Sequence, residues 1–171
     1  STFSGLFRYD GSSFKPVPLR NSASMPIVLS TMQDHNGDVW ISSKIGFFIY
    51  RGDSIYDLGR ENEVFNTYAL QSVEDSNGGV WLVTGKQGVI YYKDGLVKAY
   101  TEADGLQSNQ VRNATIDRNG MVWFGTYEGL CRFDGQGFCY VSARENITSK
   151  VIYLLQIDDA GNLWTGSPGG L

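Results

Sequence analysis

A repeat constrains this chain more than any other feature of its sequence. Tryptophans stand at positions 40, 81, 123 and 164, spaced by 41, 42 and 41 residues. Glycines that open an apolar run stand at 5, 46, 88, 129 and 170, spaced by 41, 42, 41 and 41. From each such glycine to the next tryptophan the distance is always 35, so the one irregularity is an extra residue between Trp81 and Gly88. Asp34, Asp75, Asp117 and Asp158 precede the tryptophans by six, and Gly37, Gly78, Gly120 and Gly161 precede them by three. A period of this length marks one supersecondary unit, which can bury its apolar faces only against its neighbours.

Within a unit the apolar period is two and turn residues recur at short intervals, which reads as short antiparallel strands. The first strand ends in the aspartate, as in Val111 to Asp117, and the second carries the tryptophan, as in Val122-Trp123-Phe124. Between them, Asn36-Gly37, Asn77-Gly78 and Asn119-Gly120 are expected to supply the positive φ angles of a tight hairpin. The third strand runs from the repeat glycine and places an aromatic four residues on, at Tyr9, Tyr50, Tyr92 and Phe133. A second turn, Asp10-Gly11, Asp94-Gly95 or Asp134-Gly135, leads to a fourth strand carrying Phe14, Ile55, Val97 or Phe138.

Four strands in about 41 residues is the size of a β-propeller blade. The expected fold class is therefore all-β: a β-propeller built from four four-stranded antiparallel blades, closed as a ring or forming an arc of a larger one. Residues 1–171 then make one propeller region. Its units are 5–26 (strands three and four), 27–67, 68–109, 110–150 and 151–171 (strands one and two). The 21 glycines, 4 tryptophans, 10 tyrosines and 9 phenylalanines become turn and inter-blade positions repeated along the chain. A sugar- or base-stacking role for the tryptophans would need their rings at the surface.

Charge and hydropathy exclude some partners. The formal charge of −4 gives no phosphate-binding surface, so no nucleic acid is expected. No apolar run approaches the 18 or so residues of a membrane span, so no membrane insertion is expected in this segment. The chain begins at Ser1 without a methionine, as a piece of a longer protein would.

Written out, the unit resembles a known family. The run Glu102-Ala103-Asp104-Gly105-Leu106-Gln107-Ser108-Asn109-Gln110-Val111 continues through Asp117-Arg118-Asn119-Gly120-Met121-Val122-Trp123-Phe124-Gly125-Thr126 to Gly129-Leu130-Cys131-Arg132-Phe133-Asp134-Gly135. It is similar to the two-component regulator propeller repeat, approximately D-G-L-x-S-N-x-V, then D-x-x-G-x-x-W-x-G-T, then G-L-x-x-[YF]-D-G. The first full unit departs from it, with Ile41-Ser42-Ser43 in place of the G-T element, and the W-D and G-H pairs of WD40 blades are missing. The resemblance implies a periplasmic or extracellular sensor region of a bacterial hybrid histidine kinase or related membrane signalling protein. Such a region is non-catalytic, needs no cofactor and recognises a carbohydrate or other small ligand. Its expected partners are neighbouring propeller or signalling domains of the same polypeptide, with a homodimer as a further arrangement.

Several residues invite chemical readings. Asp34-x-Asn36-Gly37-Asp38 looks like the start of a calcium loop, but the distal glutamate is missing and the aspartate recurs in every unit, as an Asx-type turn would have it. No metal is expected. His35 is the only imidazole, and its equivalents Ser76 and Arg118 mark a solvated turn rather than a catalytic base. Cys131 and Cys139 lie on opposite arms of one hairpin and form a disulfide only if the register sets them opposite each other; otherwise they are two thiols. Asn113-Ala114-Thr115 and Asn146-Ile147-Thr148 match glycosylation acceptors and are discounted, because the family is bacterial.

Irregular positions on a regular scaffold are where binding usually resides. Just before each repeat glycine stand Phe3-Ser4, Lys44-Ile45, Lys86-Gln87, Tyr127-Glu128 and Pro168-Gly169. These links share one rim with the connections 104–110 and 144–150. Lys44, Lys86, Gln87, Asn109, Tyr127, Glu128 and Arg144 are the candidate ligand-binding or domain-docking residues, and such a set suits hydroxyls or an anionic sugar. A propeller lyase or hydrolase is the alternative. It would need acid and base groups on the first strands, which offer Thr31, Gln33, Ser72, Glu74, Ala114, Ile116, Leu155 and Ile157. Only Glu74 among them titrates. A purely structural interaction scaffold is the third possibility.

Overall fold

The computed structural model describes residues 5–19, 26–141 and 150–168. The chain divides into two compact units, Ser1–Ser72 and Val73–Leu171. In the first, β1 (Leu6–Tyr9) and β2 (Phe14–Val17) form a hairpin, and β3 (Val28–Gln33), β4 (Val39–Ser43), β5 (Gly46–Arg51) and β6 (Ser54–Asp57) form an antiparallel sheet in chain order. A helical turn, α1 (Leu58–Glu61), follows, with the Asp57 side chain capping it by accepting from the Gly59 amide. The strand β7 (Ala69–Glu74) begins in this unit and runs on into the next.

The second unit repeats the pattern. The order β7, β8 (Val80–Thr84), β9 (Val89–Lys93), β10 (Leu96–Tyr100) makes one sheet. A second contains β11 (Val111–Ile116), β12 (Val122–Thr126), β13 (Gly129–Phe133) and β14 (Phe138–Val141), and β15 (Leu154–Ile157) pairs with β16 (Leu163–Gly166). Burial is deepest on the second strand: all five residues of β8 are buried, whereas β10 has three exposed residues and two half-buried ones.

Each repeated residue type has a structural task. The third-strand aromatic and the fourth-strand apolar residue stand directly opposite one another, as Tyr9 and Phe14, Tyr50 and Ile55, Tyr92 and Val97, and Phe133 and Phe138. Such cross-strand pairs are the elementary stabilising contact of a sheet. The aspartate does two things at once. Asp117 Oδ1 accepts from the amides of Asn119 (2.8 Å) and Met121 (3.0 Å), while Oδ2 accepts from the Trp123 indole at 2.9 Å. Asp34 with Trp40, Asp75 with Trp81 and Asp158 with Trp164 repeat this tie at 2.9, 3.3 and 2.9 Å.

These turns correct the expectation of tight Asn-Gly hairpins. Gln33 pairs with Val39 and Ile116 with Val122, so each loop holds five residues, and only the glycines Gly37, Gly78 and Gly120 take positive φ. The asparagines contribute a backbone N–H to the aspartate instead. Two-residue turns with positive φ at both positions do occur two strands later, at Gly52-Asp53 and Asp94-Gly95.

The link between second and third strands is fixed by a buried hydroxyl. Thr84 Oγ1 donates to the Gly88 carbonyl at 2.8 Å, and Thr126 Oγ1 to that of Gly129 at 2.9 Å. In the first full unit, where the G-T element is absent, Ser43 Oγ makes the same bond to Gly46 at 2.8 Å. The repeat glycine that follows is required twice over. Gly88 has φ +75, and a Cβ there would sit 2.0 Å from the Tyr100 carbonyl oxygen.

The tryptophans differ in burial. Trp40 and Trp81 are buried. Trp81 stacks on Tyr100 (centroids 5.5 Å, 23° between planes) and meets Tyr91, Phe124 and Phe133, forming an aromatic layer between the sheets β7–β10 and β11–β14. Burying a ring of this size removes 150–250 Å² from water, or about 4–6 kcal/mol before entropy is counted. Trp164 departs from the expected inter-sheet role: it is 53% exposed on β16, to which no further strand pairs among the described residues.

The register also decides the cysteine question. Cys131 lies opposite Tyr140 and Cys139 opposite Arg132, so the two thiols point to opposite faces of one sheet. Both are free, Cys131 buried and Cys139 exposed.

Candidate functional site

The segment 101–110 organises the rim of the second unit. A 3₁₀ turn at Glu102–Asp104 opens with a reciprocal cap, in which the Asp104 carboxylate accepts from the Thr101 amide (2.9 Å) and hydroxyl (3.1 Å). These bonds hold the Asp104 carboxyl below the usual carboxylate range. Glu102 and Asn109 then close the loop: the Asn109 side-chain oxygen accepts from the Glu102 amide at 2.9 Å, and Glu102 Oε1 accepts from the Asn109 amide at 2.7 Å.

Both links between second and third strands in this unit are tied to that segment. The Gly88 amide donates to the Asn109 carbonyl at 2.8 Å, next to Lys86 and Gln87. The Tyr127 amide donates to the Gln110 carbonyl at 3.1 Å, and the Gln107 side-chain amide donates to the Glu128 carbonyl. Lys86, Gln87 and Glu128 therefore project from backbone held at several points, and all three are exposed.

Asn109, expected to reach a ligand, instead has its side-chain oxygen committed to loop closure. Lys44 is exposed in the first unit, its amide donating to the Ile27 carbonyl at 3.1 Å. Arg144 lies outside the described residues. Tyr127 is brought together with two residues that the sequence reading passed over. The Arg112 guanidinium lies 5.8 Å from the Tyr127 ring centroid and 5.6 Å from that of Tyr153, the rings meeting edge to face at 6.0 Å. Guanidinium over an aromatic face is a favourable cation–π geometry.

A β-bulge puts Arg112 there. Val111 pairs with Thr126 and Asn113 with Gly125, which leaves Arg112 as the extra residue on β11. The same bulge falls at Leu29 on β3. Bulges re-aim side chains and are enriched beside functional sites. A signal for this position existed in the repeat, whose equivalent residues are Leu29, Leu70, Arg112 and Tyr153. Two leucines, an arginine and a tyrosine at one register mark a position freed from the scaffold.

Arg112 has no carboxylate partner among the described residues. A guanidinium between two tyrosines, with no ion pair among the described residues, can hold a carboxylate or sulfate while the rings pack on an apolar face. The enzyme alternative finds less. His35 is exposed in the turn between β3 and β4.

Repeated four-stranded antiparallel sheets of this order, with short links on a shared rim, define a β-propeller. Residues 105–128 match the family described as two component regulator propeller. Among solved structures, the chain is similar to the extracellular domain of a hybrid two component system from B. thetaiotaomicron. The match is 21% identical with a TM-score of 0.81, covering 97% of this chain and 24% of that one. A second such domain from the same organism is 20% identical (TM-score 0.70), covering 88% of this chain and 20% of that one. Virginiamycin B lyase from Staphylococcus aureus, in a catalytically inactive histidine-to-alanine form with quinupristin, is 17% identical (TM-score 0.64), over 87% and 51%. The chain thus spans about a quarter of the two component domains it matches. No curated protein matches it in sequence. No helix among the described residues is long and apolar enough to cross a membrane.

Proposed function

We propose that this propeller region belongs to an extracytoplasmic sensor of a two-component signalling protein and binds a small anionic ligand, such as an acidic carbohydrate, on the rim around Arg112. The observation that carries the reading is Arg112 held between Tyr127 and Tyr153, without an ion pair among the described residues. The family match and the extracellular signalling domains of the same fold support the sensor role. Lys86, Gln87 and Glu128 supply further polar contacts in the same unit. Ligand occupancy would pass to neighbouring domains of the same polypeptide.

Titration calorimetry with glucuronate and with sulfated N-acetylglucosamine tests this. Arg112→Ala should weaken binding at least about tenfold, because a hydrogen bond to a charged group contributes about 1.5–3 kcal/mol. Replacing Lys86 and Tyr127 together should weaken it as well, with the melting temperature held. Unchanged affinity in both variants would overturn the assignment. A lyase-like activity is the second reading, favoured only by the likeness to virginiamycin B lyase. It is poorly supplied, since the chain has one histidine and that residue sits in a hairpin turn.

A further inference from the structure

Three of the four aspartate turns contain an Asn-Gly pair: Asn36-Gly37, Asn77-Gly78 and Asn119-Gly120. The last turn has Ala160-Gly161 at the same place. The backbone N–H of Ala160 donates to its aspartate at 3.0 Å, just as those of the asparagines do at 2.9, 2.9 and 2.8 Å. The turn therefore needs no side-chain amide at this position, and all three asparagines are exposed.

An asparagine followed by glycine carries a reaction within itself. The glycine nitrogen, with no side chain on its own residue to hinder it, attacks the asparagine Cγ. The new N–Cγ bond closes a cyclic imide, the Cγ–Nδ2 bond breaks, and ammonia leaves with the proton of the glycine N–H. Water then opens the imide at one carbonyl or the other, giving aspartate or isoaspartate. Exposure of the asparagines supplies that water.

The closed turn holds the attacking nitrogen back. Gly37, Gly78 and Gly120 each donate their N–H to the backbone carbonyl of the turn aspartate, at 3.0, 3.0 and 2.9 Å. The amides on either side are bound to one carboxylate oxygen of the same residue, as Asn119 (2.8 Å) and Met121 (3.0 Å) are to Asp117 Oδ1. Cyclisation requires the Asn–Gly peptide to swing its nitrogen onto Cγ and give up its proton, and these bonds oppose both.

Isoaspartate cannot remake the turn. It routes the chain through Cβ and Cγ, which puts one more backbone carbon between the asparagine Cα and the glycine nitrogen. In the turn of Asn119 this displaces Gly120 from the Asp117 carbonyl and Met121 from Oδ1, and so loosens the carboxylate that holds the Trp123 indole.

We infer that Asn36, Asn77 and Asn119 are modification sites gated by their own turns. The aspartate keeps each pair unreacted while its turn is closed, and every opening exposes the pair to a one-way conversion. The repeated aspartate thus has a chemical task beside its structural one, and the turns that carry it record how often each sheet end has opened.

Peptide mapping that resolves isoaspartate, on protein incubated at mildly alkaline pH, tests this. In the folded chain all three pairs should convert at least about tenfold more slowly than in the guanidinium-unfolded chain. Asp117→Ala frees one turn, so Asn119 should convert at least about fivefold faster than in the wild type, while Asn36 and Asn77 of the same molecules keep their wild-type rates. Amide hydrogen exchange at Gly37, Gly78 and Gly120 gives a measure that needs no variant: the order of conversion should follow the order of exchange. The inference is overturned if folded and unfolded chains convert alike, if conversion does not follow exchange, or if Asn119 in folded Asp117→Ala converts at the wild-type rate or no faster than Asn36 and Asn77.

Discussion

Trp123 Nε1 donates to Asp117 Oδ2 at 2.9 Å, across the five-residue turn that joins the first two strands of its sheet. The bond ties a turn to a core ring, and the other oxygen of the same carboxylate holds two backbone amides. Asp117→Ala removes three bonds and should cost about 2–4 kcal/mol, against about 1–2 kcal/mol for Asp117→Asn, which can still accept from the amides. In a chain of this size that is a drop of several degrees in melting temperature. Asp117→Asn combined with Trp123→Phe should be less destabilising than the sum of the two, because both remove one bond. Strict additivity in thermal melts would show that the bond contributes nothing.

Gly88 and Gly95 both take positive φ, +75 and +82, yet they differ in surroundings. At Gly95 nothing lies within 4 Å of a new Cβ, so Gly95→Ala carries only the left-handed backbone penalty of about 1–2 kcal/mol. At Gly88 the Cβ would stand 2.0 Å from the Tyr100 carbonyl oxygen, and backbone cannot swing aside as a side chain can. Gly88→Ala should therefore cost at least about 4 kcal/mol or prevent folding. Urea unfolding of the two variants side by side checks the difference.

These glycines and aspartates are why the fold was legible from sequence. A residue that serves backbone geometry must recur wherever the geometry recurs, so Gly46, Gly88 and Gly129, or Asp34, Asp75 and Asp117, announce the unit directly. The turn type was not legible, because Asn-Gly suits a two-residue hairpin equally well, and only the Gln33 to Val39 pairing shows a loop of five. The candidate rim was legible only where the repeat is irregular. Tyr127 lies in a visibly irregular link, but Arg112 lies inside a strand, and its role depends on a one-residue bulge that leaves no mark in composition. Asn109 also has a task that its loop position does not announce: its side-chain oxygen and backbone amide close the loop on Glu102.

Cys131 and Cys139 are one step out of register, and their environments separate them chemically. Burial pushes the Cys131 thiol up to about 11, so at pH 8 it is almost wholly protonated and shielded from solvent. Cys139 is exposed on the other face. Under native conditions a thiol reagent should modify Cys139 rapidly and Cys131 only as the protein unfolds, and Cys139→Ser should abolish the fast phase. Mild oxidation should yield no intramolecular crosslink. A loss of two mass units from the folded monomer would contradict the register.

Tyr91 and Asp75 make alkaline stability a readout of the aromatic layer around Trp81. Burial is the main cause that lifts the Tyr91 phenol to about 12, with the Asp75 charge and a hydrogen bond to Asp75 adding to it. The unfolded chain releases this proton near pH 10, whereas the folded chain keeps it until about 12. Between those values the folded state binds more protons than the unfolded state, so stability must fall as pH rises. The contribution is fully present below pH 10 and is lost as pH passes through about 12. Tyr91→Phe removes the titrating group and should flatten this part of the profile, while lowering stability at neutral pH by about 1 kcal/mol for the lost bond. Urea midpoints measured from pH 9 to 12 for both proteins, taken as a difference so that other titrating groups cancel, give the comparison; parallel curves would show that Tyr91 is solvated rather than packed against Trp81.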